Sequence, residues 1–260
     1  MTVQARAEAT HQKIIDAAID LFEEIGYGNT SLSDIVERAT VTKGAFYYHF
    51  PSKEAVAGKI IQQAVMKKES AVLQIISSPS AALENLIRAT FVVNHMTERD
   101  KPVRAGHQLR QGLTHISSVA AMTYVDHPLV RVSTVEKAIT EGDLPDDLDA
   151  DATTYALHAS VLGARLLSDA TGDDIFAGLA QIWSVFLRGV VSPKSAPYFQ
   201  QFVARLKQHY TQHSEPRVGM TSTLLADEHR VAGLDHFVDD RQPLVEVDER
   251  RLHRVDGEPF

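Results

Sequence analysis

An apolar period of three to four residues runs through nearly every segment up to Tyr210. That spacing puts apolar side chains on one helical stripe and restricts the chain to an all-α fold. In residues 11–25 the stripe is Ile14, Ala18, Leu21, Phe22 and Ile25, and Gly26 is the expected stop. Ser31 opens a short helix, SLSDIVERA, with Asp34 three residues on as in a capping box. Its apolar face is Leu32, Ile35, Val36 and Ala39. Thr42 is positioned to cap a second short helix, KGAFYYHF. Pro51 ends it, because the residue before a proline avoids the α region. Ser52 caps a longer helix that begins KEAVAGKIIQQAV and runs to about Ile76. Later amphipathic segments span 81–97, 103–117, 128–141, 152–168, 174–190 and 197–210, with breaks at SSPS, ERDKP, EGDLPDD, ATGDD and SPKSAP.

Two short helices joined by a three-residue turn, with a longer helix on each side, predict a helix-turn-helix. The second short helix has an unusual content. Phe46 and Phe50, four apart, share a face that anchors into a core, while Thr42, Lys43, Tyr47 and Tyr48 fall outward. Gly44 sits in the first turn, where glycine costs a helix ~1 kcal/mol against alanine but lets another backbone come close. Such a helix suits the major groove of DNA. Lysine donates to guanine O6 and N7, and hydroxyls and backbone N–H groups hold phosphates. The bland alternative is a solvated helix with a few packed aromatics.

Composition excludes several other classes. There are no cysteines, so no disulfide, thiolate metal site or cysteine nucleophile can form. The opening MTVQARAEATHQ carries no signal-peptide core and no apolar run approaches a membrane span, so a cytoplasmic protein without membrane contact is expected. The net charge of -8 argues against indiscriminate nucleic-acid binding. Residues 211–260 hold 6 Arg and 11 Asp and Glu, and they read as an acidic tail, weakly structured or peripheral.

The run IIDAAIDLFEEIGYGNTSLSDIVERATVTKGAFYYHFPSKEAVAGK, residues 14–59, resembles the N-terminal domain of TetR-family repressors. The resemblance rests on AAIDLFEEIGY, TSLSDIVERA, TKGAFYYHFPSKE and the spacing between them. It implies an N-terminal three-helix helix-turn-helix domain, 1–55, and a larger C-terminal helical domain for ligand binding and dimerisation, 56–210, ahead of the tail. It also implies a homodimer that binds double-stranded palindromic operator DNA and is released by a small-molecule inducer, with no cofactor. Thr42, Lys43, Gly44, Ala45, Tyr47, Tyr48 and His49 would face DNA, Lys53 would meet a phosphate at the next helix, and Ser31 and Ser33 would add weaker contacts. Thr40 departs from the family, in which many relatives have glycine in this turn; a threonine with positive φ would be strained, so either the turn is shaped differently or its helix–helix angle is slightly altered.

Beyond this domain, KPVRAGHQLRQG, LGARLLSDATG and LAQIWSVFLRGVV resemble the γ-butyrolactone receptors of actinobacteria, regulators of antibiotic production and differentiation. Those receptors usually place a tryptophan in the pocket helix. The corresponding AMTYVDHPLVRVSTVEK has none, and Tyr124 or His127 would take that space. A related butenolide, furan or antibiotic-like ligand, or no ligand at all, remains open. Ligand sites are mostly apolar with a few placed polar groups. His95, His107, Gln108, Tyr124, Tyr155 and His158 fit as the polar set, with Phe91, Leu109, Met122, Leu162 and Trp183 as walls. Each also has a structural reading as an ordinary packed residue. Segments 152–168 and 174–190 are apolar over much of their circumference and would form a four-helix interface with their symmetry mates, eased by Ala159, Gly163 and Ala164.

An enzyme is the rival class. The twelve histidines are scattered, and no HExxH, G-x-S-x-G or Gly-rich phosphate loop is present. His107 and His115, eight apart, are too far along a straight helix for one tight metal site. A second rival, an interaction protein that has lost DNA binding, is disfavoured by the intact TKGAFYYHF.

Overall fold

Side-chain caps set the starts of the three helices that follow the first. In the computed structural model, which describes residues 3–114, 120–123, 130–192 and 194–212, the opening helix α1 spans Val3–Ile25 and begins earlier than its apolar stripe requires. α2, Leu32–Arg38, starts at Ser31 with a complete capping box: the Asp34 N–H donates to Ser31 Oγ at 3.2 Å, and the Ser31 N–H donates to Asp34 Oδ2 at 2.8 Å. α3, Lys43–His49, is capped by Thr42 Oγ1, and α4, Lys53–Ile76, by Ser52 Oγ. α5 and α6, Ala82–Arg99 and Lys101–Leu113, meet at Asp100, which ends one helix and caps the next. α7 is Val132–Thr140, α8 Ala150–Thr171, α9 Ile175–Val190 and α10 Ala196–Gln212. No strand occurs among the described residues.

These residues belong to one unit, Met1–Arg217. Thr211 and Gln212, read as the start of the tail, instead finish α10, and Thr211 Oγ1 donates to Asp174 at the start of α9. The rest of the acidic tail lies outside the described residues.

Two apolar cores organise the chain. The first gathers Ile14, Ala18 and Phe22 of α1, Ile35 of α2, Phe46 of α3 with Phe50, and Val56, Ile60 and Ile61 of α4, and continues to Leu109 and Leu113 of α6. The helix-turn-helix is therefore one packed body with the first half of α4. The second core joins α5, α7, α8, α9 and α10 around Trp183, Phe91 and Phe176. α4 runs from one to the other, and its tightest contact is with α6 at Gly106. A Cβ there would lie 2.4 Å from the Ala64 Cβ and 3.0 Å from the Ile60 carbonyl oxygen, so the two helix backbones approach as only glycine permits.

The turn between α2 and α3 resolves the question posed by Thr40. Its φ is 55°, the left-handed conformation. The Thr40 N–H donates to the Glu37 carbonyl and the Val41 N–H to the Val36 carbonyl, at 3.0 and 3.2 Å. Those paired bonds are a Schellman ending, with threonine where glycine is usual. Threonine therefore carries the left-handed strain here, in a turn closed by both bonds.

Candidate nucleic-acid interface and ligand cavity

α3 divides sharply into an inner and an outer side. Phe46 and Phe50 are buried in the first core. Tyr47 and Tyr48 are 57% and 79% exposed, and Thr42, Lys43 and Gly44 lie in solvent beside them. A Cβ on Gly44 would meet only Thr42 Oγ1, at 3.9 Å, so nothing inside the chain requires this glycine. Ala45 is half-buried on the same helix, and Ser31 and Ser33 are exposed at the start of α2. His49 is half-buried and turns back toward α1, where its ring meets His11 at 5.8 Å, and it also meets its α3 neighbour Tyr48 at 5.0 Å.

Lys53 has a different place from the one its sequence position suggests. Its Nζ donates to the Tyr27 and Thr30 carbonyl oxygens at 2.8 and 2.7 Å and sits 4.2 Å from the Tyr27 ring centre. The ammonium clamps the start of α4 to the α1–α2 loop instead of standing open to a phosphate. Burial, reinforced by Glu54, pushes the Tyr27 hydroxyl up to about 12. Ion pairs join α1 to α6 as well: Lys101 with Asp20 at 2.7 Å and Arg104 with Glu23 at 2.9 Å.

A small cavity of about 70 Å³ lies between α4, α5, α6 and α8, with Arg131 at its edge. Val65, Val72, Val93, Val161 and Leu162 form its apolar wall. Its other side is charged. Arg165 donates to Glu98 Oε1 at 2.6 Å and pairs with Asp169, and Asp169 also meets His107 Nε2 at 2.9 Å and Gln111 at 3.2 Å. Burial alone would raise the Asp169 carboxyl, but the hydrogen bonds from His107 and Arg165 outweigh it and hold the group well below the usual carboxylate range. Burial likewise lowers His107, against the pull of Asp169. Arg131 pairs with Glu69. Lys68 and Arg110 complete the basic side.

Of the ligand residues expected from sequence, His107, His158 and Leu162 line this cavity. The others are elsewhere. Trp183 is fully buried in the second core, with Nε1 donating to Thr90 Oγ1 at 3.0 Å. Phe91 is also core, stacked on Phe176, and His95 packs beside Phe176 and Tyr210. Gln108 and Leu109 edge a separate groove between α6 and the end of α1. Met122 and Tyr155 face outward, and Tyr124, His127 and His115 lie outside the described residues. Sequence reasoning missed Lys68, Glu69, Asn94, Arg110, Arg131 and Arg165, because a charged residue on an amphipathic helix reads as its solvated face.

α8 and α9 leave Tyr155, Leu166, Leu167 and Val185 exposed, at 77, 60, 65 and 74%. Ala159 is exposed on α8 near that apolar surface and Gly163 is half-buried, while Ala164 packs toward Gly178 of α9 within the chain. Among the described residues no cluster of His, Asp and Glu could hold a metal ion, and no helix is long and apolar enough to cross a membrane.

Residues 14–60 match the family described as bacterial regulatory proteins, tetR family, and residues 80–192 match the tetracyclin repressor-like C-terminal domain. The A-factor receptor protein of Streptomyces griseus is 28% identical over 200 residues, covering 74% of this chain and 68% of that one. A crystal structure of a γ-butyrolactone receptor, an ArpA-like protein, is 31% identical with a TM-score of 0.62, covering 78% of this chain and 99% of the other. CprB of Streptomyces coelicolor, solved in complex with its operator sequence, is 31% identical with a TM-score of 0.60 over the same shares.

Proposed function

The chain belongs to the TetR family of bacterial regulatory proteins, and we propose that it is a ligand-responsive repressor that binds palindromic operator DNA as a homodimer in the cytoplasm. The observation that carries this reading is the outer face of α3. Two tyrosines stand in solvent beside Lys43, Thr42 and a glycine that the fold itself does not need. An exposed aromatic and basic helix end of this kind fits a major groove, with Lys43 on a base edge and the hydroxyls on phosphates. Palindromic DNA requires two copies, with recognition helices about 34 Å or a small multiple of a turn apart. The exposed apolar faces of α8 and α9 supply a surface for that pairing.

The inducer site is the cavity lined by His107, His158 and Leu162. α4 links it to the DNA face. Ser52 and Lys53 stand beside α3, and Lys68 and Glu69 stand in the cavity about 22 Å further along the same helix, at 1.5 Å per residue. A ligand that favours one position of α4 shifts both the clamp at Tyr27 and the helix-turn-helix behind it, and so weakens operator binding. The relatives' names point to a γ-butyrolactone or a related antibiotic-linked signal.

The test is a gel shift on DNA from upstream of the protein's own and neighbouring genes. A discrete, salt-sensitive shift is expected, with a slope of ~0.9 per phosphate contact. Lys43→Ala should weaken it by roughly 1–3 kcal/mol; unchanged affinity and sequence preference in that variant would remove Lys43 from the readout. Host culture extract should then release the DNA. A second reading, a regulator without a hormone, is favoured by the single tryptophan lying in the core and not at the cavity wall. A shift that no extract releases would select it.

A further inference from the structure

The outer face of α3 continues onto α1. From the exposed Tyr48 a line of edge-to-face ring contacts runs through His49 at 5.0 Å to His11 of α1 at 5.8 Å. Phe50 holds His11 in that line, because the His11 ring stacks on the buried Phe50 ring at 4.7 Å. The apolar stripe of α1 enters the first core only from Ile14 onward, so that core does not account for the turns before it. One of those turns nevertheless sets an imidazole against the end of α3. His11 Nδ1 is buried and has no hydrogen-bond partner among the described residues. An uncharged ring with no acceptor at Nδ1 carries its proton on Nε2, which leaves Nε2 as the donor. The titratable and charged groups around the ring come from three helices: Glu8 on α1, His49 on α3 and Lys59 on α4. Burial lowers His11 below the ordinary histidine value; Glu8 opposes that, and His49 and Lys59 add to it.

We infer that the operator interface extends onto α1, where His11 donates from Nε2 to a DNA phosphate beside His49. The inference rests on the reading of α3 as the DNA face and adds a contact from outside the α2–α3 pair. The N-terminal residues of a recognition helix reach base edges. His11 and His49 stand at the other end of α3 from Lys43, where the backbone passes. Two imidazoles beside the positive charge of Lys59 suit an anion there. An arriving phosphate favours the charged form of His11 and opposes the effect of burial. DNA binding thus draws in a fraction of a proton, and affinity rises as pH falls through the histidine range.

The experiment is fluorescence anisotropy of the full chain at low salt on two duplexes of about 30 base pairs, long enough for two half-sites. One comes from upstream of the protein's own gene, and the other has the same composition in scrambled order. A phosphate contact acts on both, because it carries no sequence information. His11→Phe keeps a ring on Phe50 and removes the donor. It should weaken binding to both duplexes about fivefold near pH 6 and about twofold near pH 8, as the loss of a charge-assisted and of a neutral hydrogen bond. Near pH 6 its salt slope should fall by up to ~0.9. His11→Gln keeps an N–H donor without a charge, and should restore the affinity near pH 8 but not the gain toward pH 6. In the parent, the nuclear magnetic resonance titration of the His11 ring, identified by its loss in His11→Phe, should move to higher pH when either duplex is added. That shift decides the matter by itself if urea unfolding shows His11→Phe to be destabilised. Undiminished binding by a folded His11→Phe, or a His11 titration that DNA leaves in place, would overturn the inference and leave α3 as the DNA face. Weakening on the own-gene duplex alone would make His11 a base contact and remove the phosphate. A parent that binds neither duplex would overturn both readings.

Discussion

Gly106→Ala should destabilise the protein by pushing α4 and α6 apart. The new Cβ would lie 2.4 Å from the Ala64 Cβ and 3.0 Å from the Ile60 oxygen. Carbon atoms rest about 3.5–4.0 Å apart, so the first contact overlaps by more than an ångström. Neither neighbour can rotate away, since one is backbone and the other is the first atom of its side chain. Overpacking of this kind costs about 1–3 kcal/mol. The better helix propensity of alanine offsets up to about 1 kcal/mol, leaving a net loss of roughly 1–2 kcal/mol. Urea unfolding followed by far-ultraviolet circular dichroism measures it, at fixed protein concentration because association would shift the midpoint. Ala64→Gly removes the opposing carbon. The double variant should therefore be more stable than the two single losses added together, by about 1 kcal/mol. A Gly106→Ala variant as stable as the parent, or two losses that simply add, would refute the close approach.

Three further outcomes follow from the same geometry. Thr40→Gly should raise stability by about 1 kcal/mol, because the left-handed conformation costs a side chain with a Cβ roughly 1–2 kcal/mol and the unfolded-state entropy of glycine takes back part of that; a loss in urea unfolding would show that the turn is not strained. Lys53→Met should destabilise the first core by about 1–3 kcal/mol by leaving the Tyr27 and Thr30 carbonyls without their charged donor; a variant that unfolds normally and loses only DNA affinity would return Lys53 to a phosphate. Lys68 carries a proton in the unfolded chain up to about 10.5, but in the empty folded protein only up to about 7. Its contribution to stability thus rises with pH across that window, and its penalty is complete below it. The unliganded parent should gain stability relative to Lys68→Met between pH 7 and pH 10, and a flat difference would contradict the lowered lysine.

The helix-turn-helix was legible because its determinants are local. A cap acts across three residues and a stripe across four, so Ser31, Thr42, Ser52, Phe46 and Phe50 could be read in place. The Thr40 turn was legible only in part: threonine there pointed to a reshaped turn or an altered helix–helix angle, and the chain instead holds the threonine left-handed in a Schellman ending. The cavity was not. Polar residues on apolar helices pointed to His107 and His158, but the same rule also chose Tyr155 and Gln108, which face elsewhere. Trp183 has the composition of a ligand wall and the environment of a core, as its full burial and its bond to Thr90 show.

Lys67 and Lys68 mark the boundary between the two kinds of information. Adjacent in a run that reads MKKES, they are equivalent by composition and by charge pattern. On the folded helix they differ by the roughly 100° that separates neighbours in an α-helix. Lys67 pairs at the surface with Asp100, and Lys68 faces a basic cavity. The sequence alone determines the helices, their caps and the outward face of α3, since those depend on neighbours within a turn. Which of two lysines meets Arg110 and Arg165, and whether Lys53 meets a phosphate or the Tyr27 and Thr30 carbonyls, depends on helices distant in the chain, and only their packing decides it.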